Sequence, residues 1–293
     1  GPNLQSLLKS IINQSVDDFK VLIVNNGKGG IESQIIENFL KDNREIEIIG
    51  ISNLKNCGSY DGLRQLISHT TTSHLGVIHG DDLLNSNYVE IANKSIINNP
   101  DAGAFNFDLI EFQELECKIT GNIITSGWTS FNSLNRVLVA GLNPGVMPGS
   151  ILNLKMLGKN YLNQNLNEYK LNGAEDIVLW QSIIRDSYRI MRIPVRTYYY
   201  RRHTGQISKN YDLFGLSLGY ARRLNFETSC SKFEKLLCLS EMNHEFESIK
   251  ANASYLLGIG HLASYRNFHV FRFINILIRR FCRLVNRIFR VKA

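Results

Sequence analysis

Apolar residues recur through LQSLLKSIINQ at helical spacing, so a helix is predicted over residues 4–14. VDDFKVLIVNNGKGG then reads as a strand running into a glycine-containing turn. IIENFLKD predicts a second helix, EIEIIGIS a second strand, residues 60–68 a third helix, and HLGVIHG a third strand ending at Asp81. NYVEIANKSIINN continues as a helix and AGAFNFDLI as a strand. This alternation predicts an α/β fold with a parallel sheet, in which the loops beyond the carboxyl ends of the strands form the binding crevice. Asn25, Asn26 and the Gly80-Asp81-Asp82 run fall at such ends.

From about residue 110 to 170 the pattern weakens, and GLNPGVMPGS, with its prolines and glycines, marks a turn-rich stretch. AEDIVLWQSIIRDS restores a helix with Ile177, Trp180, Ile183 and Ile184 on one side, where Trp180 reads as core packing ahead of an acceptor pocket. RIPVRTYYYRR is a strand, HTGQISKN a polar loop, and the chain beyond Asp212 is helical. The reading favours one catalytic domain, residues 1–222, followed by a helical C-terminal extension, residues 223–293.

Composition narrows the classes. With 293 residues and 44% apolar content the chain can bury a sizeable core. Its five cysteines show no paired spacing, so neither a zinc ribbon nor a disulfide framework is suggested, and their odd number fits a reducing, cytoplasmic compartment. No stretch of about 18 apolar residues and no signal peptide is recognisable. The net charge of +7 is local, because eight Lys or Arg and no acid fall from Arg266 onward, leaving about −1 for the rest. On a helical wheel Arg279, Arg283 and Arg287 gather opposite Phe281, Leu284 and Ile288. Such a helix can lie in the membrane interface with its arginines on anionic headgroups, or pack its apolar face on the protein. Aliphatic and Phe backing, in place of a stacking array, argues against nucleic acid as the partner.

Two acidic clusters carry the candidate chemistry. Hard divalent cations prefer carboxylate and phosphate oxygens, so Asp81, supported by Asp82, suits a metal that neutralises a nucleoside diphosphate. Capping of the helix near Asn87 is the competing explanation, and His79 either contacts donor or metal or is simply hydrogen-bonded to backbone. Glu175 and Asp176 open a helix, where the dipole keeps a carboxylate ionised. Asp176 can then act as a base on an acceptor hydroxyl with Glu175 orienting it, while helix capping is again the alternative.

Taken in order, LLKSIINQSVDDFKVLIVNNG, HLGVIHGDDLLNSNYVE, GAEDIVLW and YYYRRHTGQIS resemble the inverting family-2 glycosyltransferases with an A-type, Rossmann-like nucleotide-sugar-binding fold. The resemblance covers roughly residues 4–210 and implies a mostly parallel central sheet. It also implies an apolar strand ahead of the first helix, whereas this chain opens at the helix. The position at which relatives contact the base carries Asn25 and Asn26, and their acidic metal motif falls on His79, Gly80, Asp81 and Asp82. Asp176 and Glu175 match the base element, Arg202 and His203 the segment that closes over the diphosphate, and Asn56 and Arg64 a stretch near the nucleotide. The implied metal ligands are Asp81, His203 and His79, with Mn2+ or Mg2+ as cofactor and a UDP-sugar favoured as donor.

The implied activity is metal-dependent inverting transfer of a sugar from a nucleoside diphosphate to a glycan or lipid-linked acceptor in bacterial surface-polysaccharide synthesis. It would take place at the inner face of the cell membrane. A noncatalytic sugar- or membrane-binding homologue and a nucleotidyltransferase stand as alternatives.

Overall fold

The computed structural model describes residues 2–27, 30–43, 47–113, 119–124, 147–159, 173–203, 205–206 and 211–229, with 232, 235–236, 238–239, 242 and 277. The chain divides into two compact units. The first comprises residues 1–127, 146–164 and 188–204, and the second residues 128–145, 165–187 and 205–293.

The first unit opens with helix α1 (Pro2–Ile12), whose proline stands at the first helical position, where a missing N–H costs nothing. Leu7 and Leu8 are buried on its inner face. Gln14 fastens the end of this helix, its Nε2 donating to the Asn85 carbonyl at 2.9 Å and its Oε1 accepting from Val89 N at 3.0 Å. Strand β1 (Val21–Asn25), helix α2 (Gly30–Asp42), strand β2 (Ile48–Ser52) and helix α3 (Gly58–His69) follow as the alternation predicts. Strands β1 and β2 pair in parallel, Val21 facing Ile48 through Asn25 facing Ser52.

Strands β3 (His74–Val77) and β4 (Leu83–Leu84), helix α4 (Tyr88–Asn98), strands β5 (Ala102–Gln113), β6 (Ile119–Ile124) and β7 (Ser150–Asn153), helix α5 (Leu154–Leu157) and strand β8 (Arg189–Arg202) complete this unit. They form a six-stranded sheet in the order β3-β7-β5-β8-β4, with β6 on β5. Alternation along β5 sends Phe105, Phe107 and Leu109 into a core with Leu84, Tyr88, Ile151 and Tyr198. Asp108, on the opposite face, takes a bidentate pair from Arg192 at 2.9 and 2.7 Å. The β5–β8 register shifts between Phe107 and Asp108, opposite Pro194 and Val195. Proline cannot donate to the ladder, and these two residues bulge outward and are exposed.

The mostly parallel, Rossmann-like A-type sheet expected from the sequence is not what forms. In the six-stranded sheet only β5–β8 is parallel, whereas β3–β7, β5–β7, β4–β8 and β5–β6 are antiparallel. The sheet is therefore mixed and mostly antiparallel. Two of those pairings come from β7, which inserts against both β3 and β5 from the proline- and glycine-flanked segment that reads as turn, and the other two from β4 on β8 and β6 on β5. Among the described residues, β1 and β2 pair with each other alone and β3 stands at the end of the larger sheet. A cavity of about 1210 Å³ borders both, lined by residues of α1, β1, β3 and α4.

In the second unit helix α6 (Glu175–Arg185) packs against helix α7 (Tyr211–Thr228). Trp180 and Ile183 are fully buried, as the apolar face of α6 predicts, and Leu179, outside that face, is fully buried too. The tail after Arg266 lies, apart from Leu277, outside the described residues. No helix among the described residues is long and apolar enough to cross a membrane.

Candidate functional site

The turn from β3 to β4 carries His79, Gly80, Asp81 and Asp82, and strand β8 holds it from across the sheet. Pairing of Leu83 with Tyr199 and Leu84 with Tyr198 brings the end of β8 alongside this turn. Asp82 is completely buried. Its Oδ2 accepts from the Tyr198 hydroxyl at 2.7 Å and its Oδ1 from Arg201 N at 2.7 Å. Arg201 Nε donates to the Asp81 carbonyl at 2.6 Å, and its guanidinium lies 4.6 Å from the centre of the Phe112 ring. His203 Nε2 reaches Asp81 Oδ2 at 2.7 Å.

The two acids therefore have different tasks. Asp82 is a bracing group, and its carboxyl is pushed up to about 7 by burial first and by the negative charge of Asp81 second, against the opposing hydrogen bonds. Asp81 keeps its carboxylate partly exposed beside His203. Burial pushes the His79 imidazole down, opposed by Asp81, and so favours the neutral ring that can ligate a metal. Helix α4 is not capped by this pair. Asn85 serves there instead, its Oδ1 accepting from Asn87 N at 3.3 Å and its carbonyl from Tyr88 N at 3.0 Å.

One ligand atom from each of His79, Asp81 and Asp82 lies within 4.8 Å of the others. Among the described residues these three form the group that could hold an ion; Asp82 already has a donor on each oxygen, and His203 touches Asp81 without belonging to the group. Carboxylate oxygens with an imidazole suit a divalent cation such as Mn2+. Asn25, Asn26, Gly80 and Asp81 line the cavity beside β1 and β3 together. Asn25 Oδ1 accepts from Gly27 N at 3.2 Å while its Nδ2 donates to Ser33 Oγ at 2.9 Å. Asn26 Nδ2 donates to the Gly58 carbonyl at 3.0 Å, and its Oδ1 accepts from Cys57 Sγ at 3.0 Å. Both asparagines are thus fixed in the turn and present at the cavity wall.

Of the other sequence candidates, Asn56, Arg64 and Arg202 of the first unit are not among the residues lining that cavity. Asn56 Oδ1 accepts from Gly58 N at 2.9 Å at the start of α3, and Arg64 pairs with Asp61 at 3.2 Å. Arg202 Nε donates to Glu111 Oε1 at 2.6 Å, and its guanidinium lies 4.9 Å from the Tyr200 ring centre. In the second unit, Glu175 is buried and its Oε2 accepts from Gly173 N at 2.7 Å, while Asp176 Oδ1 accepts from Ile177 N at 2.8 Å. Both acids of the pair thus fix the start of α6.

Sequence reasoning passes over Tyr198, Glu111 and the bracing role of Arg201. Three consecutive tyrosines in a strand are the available signal, because at least one must face the core, where a phenol needs a partner.

The family model described as Glycosyl transferase family 2 matches residues 1–153. Among solved structures, residues 1–349 of S. aureus TarS in complex with UDP-GlcNAc align at a TM-score of 0.64 and 14% identity, over 97% of this chain and 87% of that one. A longer S. aureus TarS structure aligns at 0.61 and 14% identity over 92% of this chain, which spans 47% of that longer chain. The mannosyltransferase PcManGT from Pyrobaculum calidifontis, in complex with GDP-Man and Mn2+, aligns at 0.58 and 13% identity, over 95% and 80% of the two chains. At these identities the likeness is one of fold. No curated protein sequence matches the chain.

Proposed function

The chain belongs to glycosyl transferase family 2, and on that premise we propose that it transfers a sugar from a nucleoside diphosphate donor to a glycan or lipid-linked acceptor. The transfer is a single displacement with inversion at the anomeric carbon, serving bacterial surface-polysaccharide synthesis. The observation that carries this reading is the Asp81–His203 contact of 2.7 Å, made where the acidic turn meets the cavity that Asn25 and Asn26 also line. It joins the loop after β3 to the end of β8 at the place where a diphosphate would sit.

In this reading Asp81, His203 and His79 hold Mn2+ or Mg2+, which when bound supplies positive charge against the diphosphate leaving group. Asn25 and Asn26 present amides toward the base, UDP being the favoured nucleotide, and Asn56 and Arg64 border the nucleotide more loosely. Arg202, steadied by Glu111, offers a positive fork to the diphosphate. Asp176 removes the proton of the acceptor hydroxyl as it attacks, with Glu175 orienting the segment. Its place in the first turn of α6 favours the ionised form that this task needs.

Residues 1–222 are proposed as the catalytic part and 223–293 as a helical extension whose basic end meets anionic lipid at the cytoplasmic membrane face. That membrane contact rests on the charge of the tail after Arg266.

Calorimetric titration with UDP, GDP, CMP and dTDP, with and without Mn2+, tests the donor site. Base-selective, metal-dependent binding is expected. Absence of binding by all four overturns the assignment and favours a noncatalytic homologue.

A further inference from the structure

We propose that Tyr198, seated by Gly149, is the positioning residue of the acidic turn and sets its affinity for the metal–diphosphate group; this rests on the donor-site reading above. Tyr198 is fully buried, and its hydroxyl makes two contacts. It donates to Asp82 Oδ2 at 2.7 Å and accepts from His79 N at 3.1 Å. One hydroxyl has a proton to give and lone pairs to receive, so a single side chain satisfies both ends of the His79–Asp82 turn. The turn's own backbone bond, Asp82 N to the His79 carbonyl, is longer at 3.3 Å.

Arg201 completes the hold from the same strand, through its N–H on Asp82 and its Nε on the Asp81 carbonyl. Strand β8 therefore grips His79, Asp81 and Asp82 by backbone or bracing carboxylate and leaves the Asp81 carboxylate facing His203. Only Gly80 lacks such a contact, and it is exposed. A glycine in the middle of a ligand-bearing turn allows many backbone conformations, so the ligand geometry depends on its two ends being pinned.

The ring that delivers the hydroxyl occupies space that only a glycine can leave. Gly149 has φ of +73°, and a Cβ there would stand 2.5 Å from Tyr198 Cδ2 and 2.8 Å from its Cγ. Gly149 is itself fixed, its N–H donating to the Val77 carbonyl at 2.8 Å and its carbonyl accepting from the Tyr88 hydroxyl at 3.1 Å. The residue before β7 thus seats the tyrosine of β8, which pins the turn after β3. Tyr198 acts on the ligands through Asp82 and His79, as outer partners of metal ligands do elsewhere.

The test is Mn2+ binding in the presence of UDP, followed by calorimetry, for the full chain and two variants. Tyr198→Phe removes the bridging oxygen alone and is expected to weaken Mn2+ roughly 10- to 100-fold. Tyr199→Phe removes a hydroxyl from the next residue, 3.4 Å from Asn85 Nδ2, and is expected to bind as the parent does. Parent-like affinity in Tyr198→Phe, even with lowered thermal stability, overturns the proposal, and so does an equal loss in both variants. Should Tyr198→Phe fail to fold, Asp82→Asn replaces it. An amide cannot accept from both Tyr198 and Arg201 N on two oxygens, so weaker Mn2+ binding is again expected, and unchanged binding refutes the brace. If the parent itself takes up no Mn2+ with UDP, the donor-site reading falls and this inference with it.

Discussion

Raising the pH of the metal-free protein from 4 toward 8 is expected to cost it stability through one residue, Asp82. In the unfolded chain this carboxyl ionises near its ordinary value of 3.8, whereas burial beside Asp81 moves it to about 7 in the fold. Below 3.8 both states hold the proton and the contribution is complete. Between the two values the unfolded chain has released it and the folded chain has not, so stability falls with rising pH. Above 7 both are ionised and the loss is complete. A difference of about three pH units, at roughly 1.4 kcal/mol each, amounts to about 4 kcal/mol. Urea unfolding followed by tryptophan fluorescence in EDTA, at half-unit steps from pH 4 to 8.5, measures it. Asp82→Asn is the reference in which the other titrations largely cancel. With a urea slope of about 2 kcal/mol per molar, the parent midpoint should fall relative to the variant by roughly 2 M across the range. Parallel midpoints at every pH would show that Asp82 ionises in the fold as it does in water, and the buried, doubly bonded carboxyl would then be wrongly described.

Three further outcomes are expected. Asp176→Asn should lower kcat for sugar transfer by roughly 100- to 10,000-fold while leaving calorimetric UDP affinity within a factor of about two, the signature of a lost base; unchanged kcat would remove Asp176 from that role. Gly149→Ala should lower unfolding free energy by about 2–5 kcal/mol, combining a left-handed backbone with a Cβ driven into the Tyr198 ring, and a thermal midpoint equal to the parent's would refute the packing argument. Ending the chain before Arg266 should abolish co-sedimentation with anionic liposomes while preserving UDP binding, and equal sedimentation of the two forms would exclude the basic tail as the membrane contact.

Periodicity reveals the elements of this chain far better than their directions. The longer helices and the strands β1, β2, β3, β5 and β8 follow from apolar spacing, whereas the short helix α5 does not. What it cannot give is the polarity of the larger sheet, where half of the antiparallel pairings are made by four residues, Ser150–Asn153, all buried. Strand β7 has no alternation to detect and follows Pro144, Pro148 and Gly149, so locally it looks like turn. Its place between β3 and β5 is decided by tertiary pairing, with Leu75 facing Leu152 and Phe105 facing Ile151. A strand that short owes its existence to its neighbours and leaves little trace in its own sequence.

The site is legible in the same partial way, and for a related reason. Residue type identifies Asp81 and Asp82 as a candidate metal-binding pair, but nothing in Gly-Asp-Asp says which acid faces the ligand. That choice is made by Tyr198 and Arg201, more than a hundred residues later, which satisfy both oxygens of Asp82 and remove it from the cavity. Once those bonds exist, a second exposed carboxylate at the turn is gone, and in the proposed site the further ligands are imidazoles, His79 on the turn and His203 at the end of β8. The histidine that stands where the resemblance leads one to expect an acid is then consistent with the rest of the site. With one aspartate turned inward as a brace, the proposed donor set is poor in carboxylates and rich in imidazoles, which should shift its preference from Mg2+ toward Mn2+.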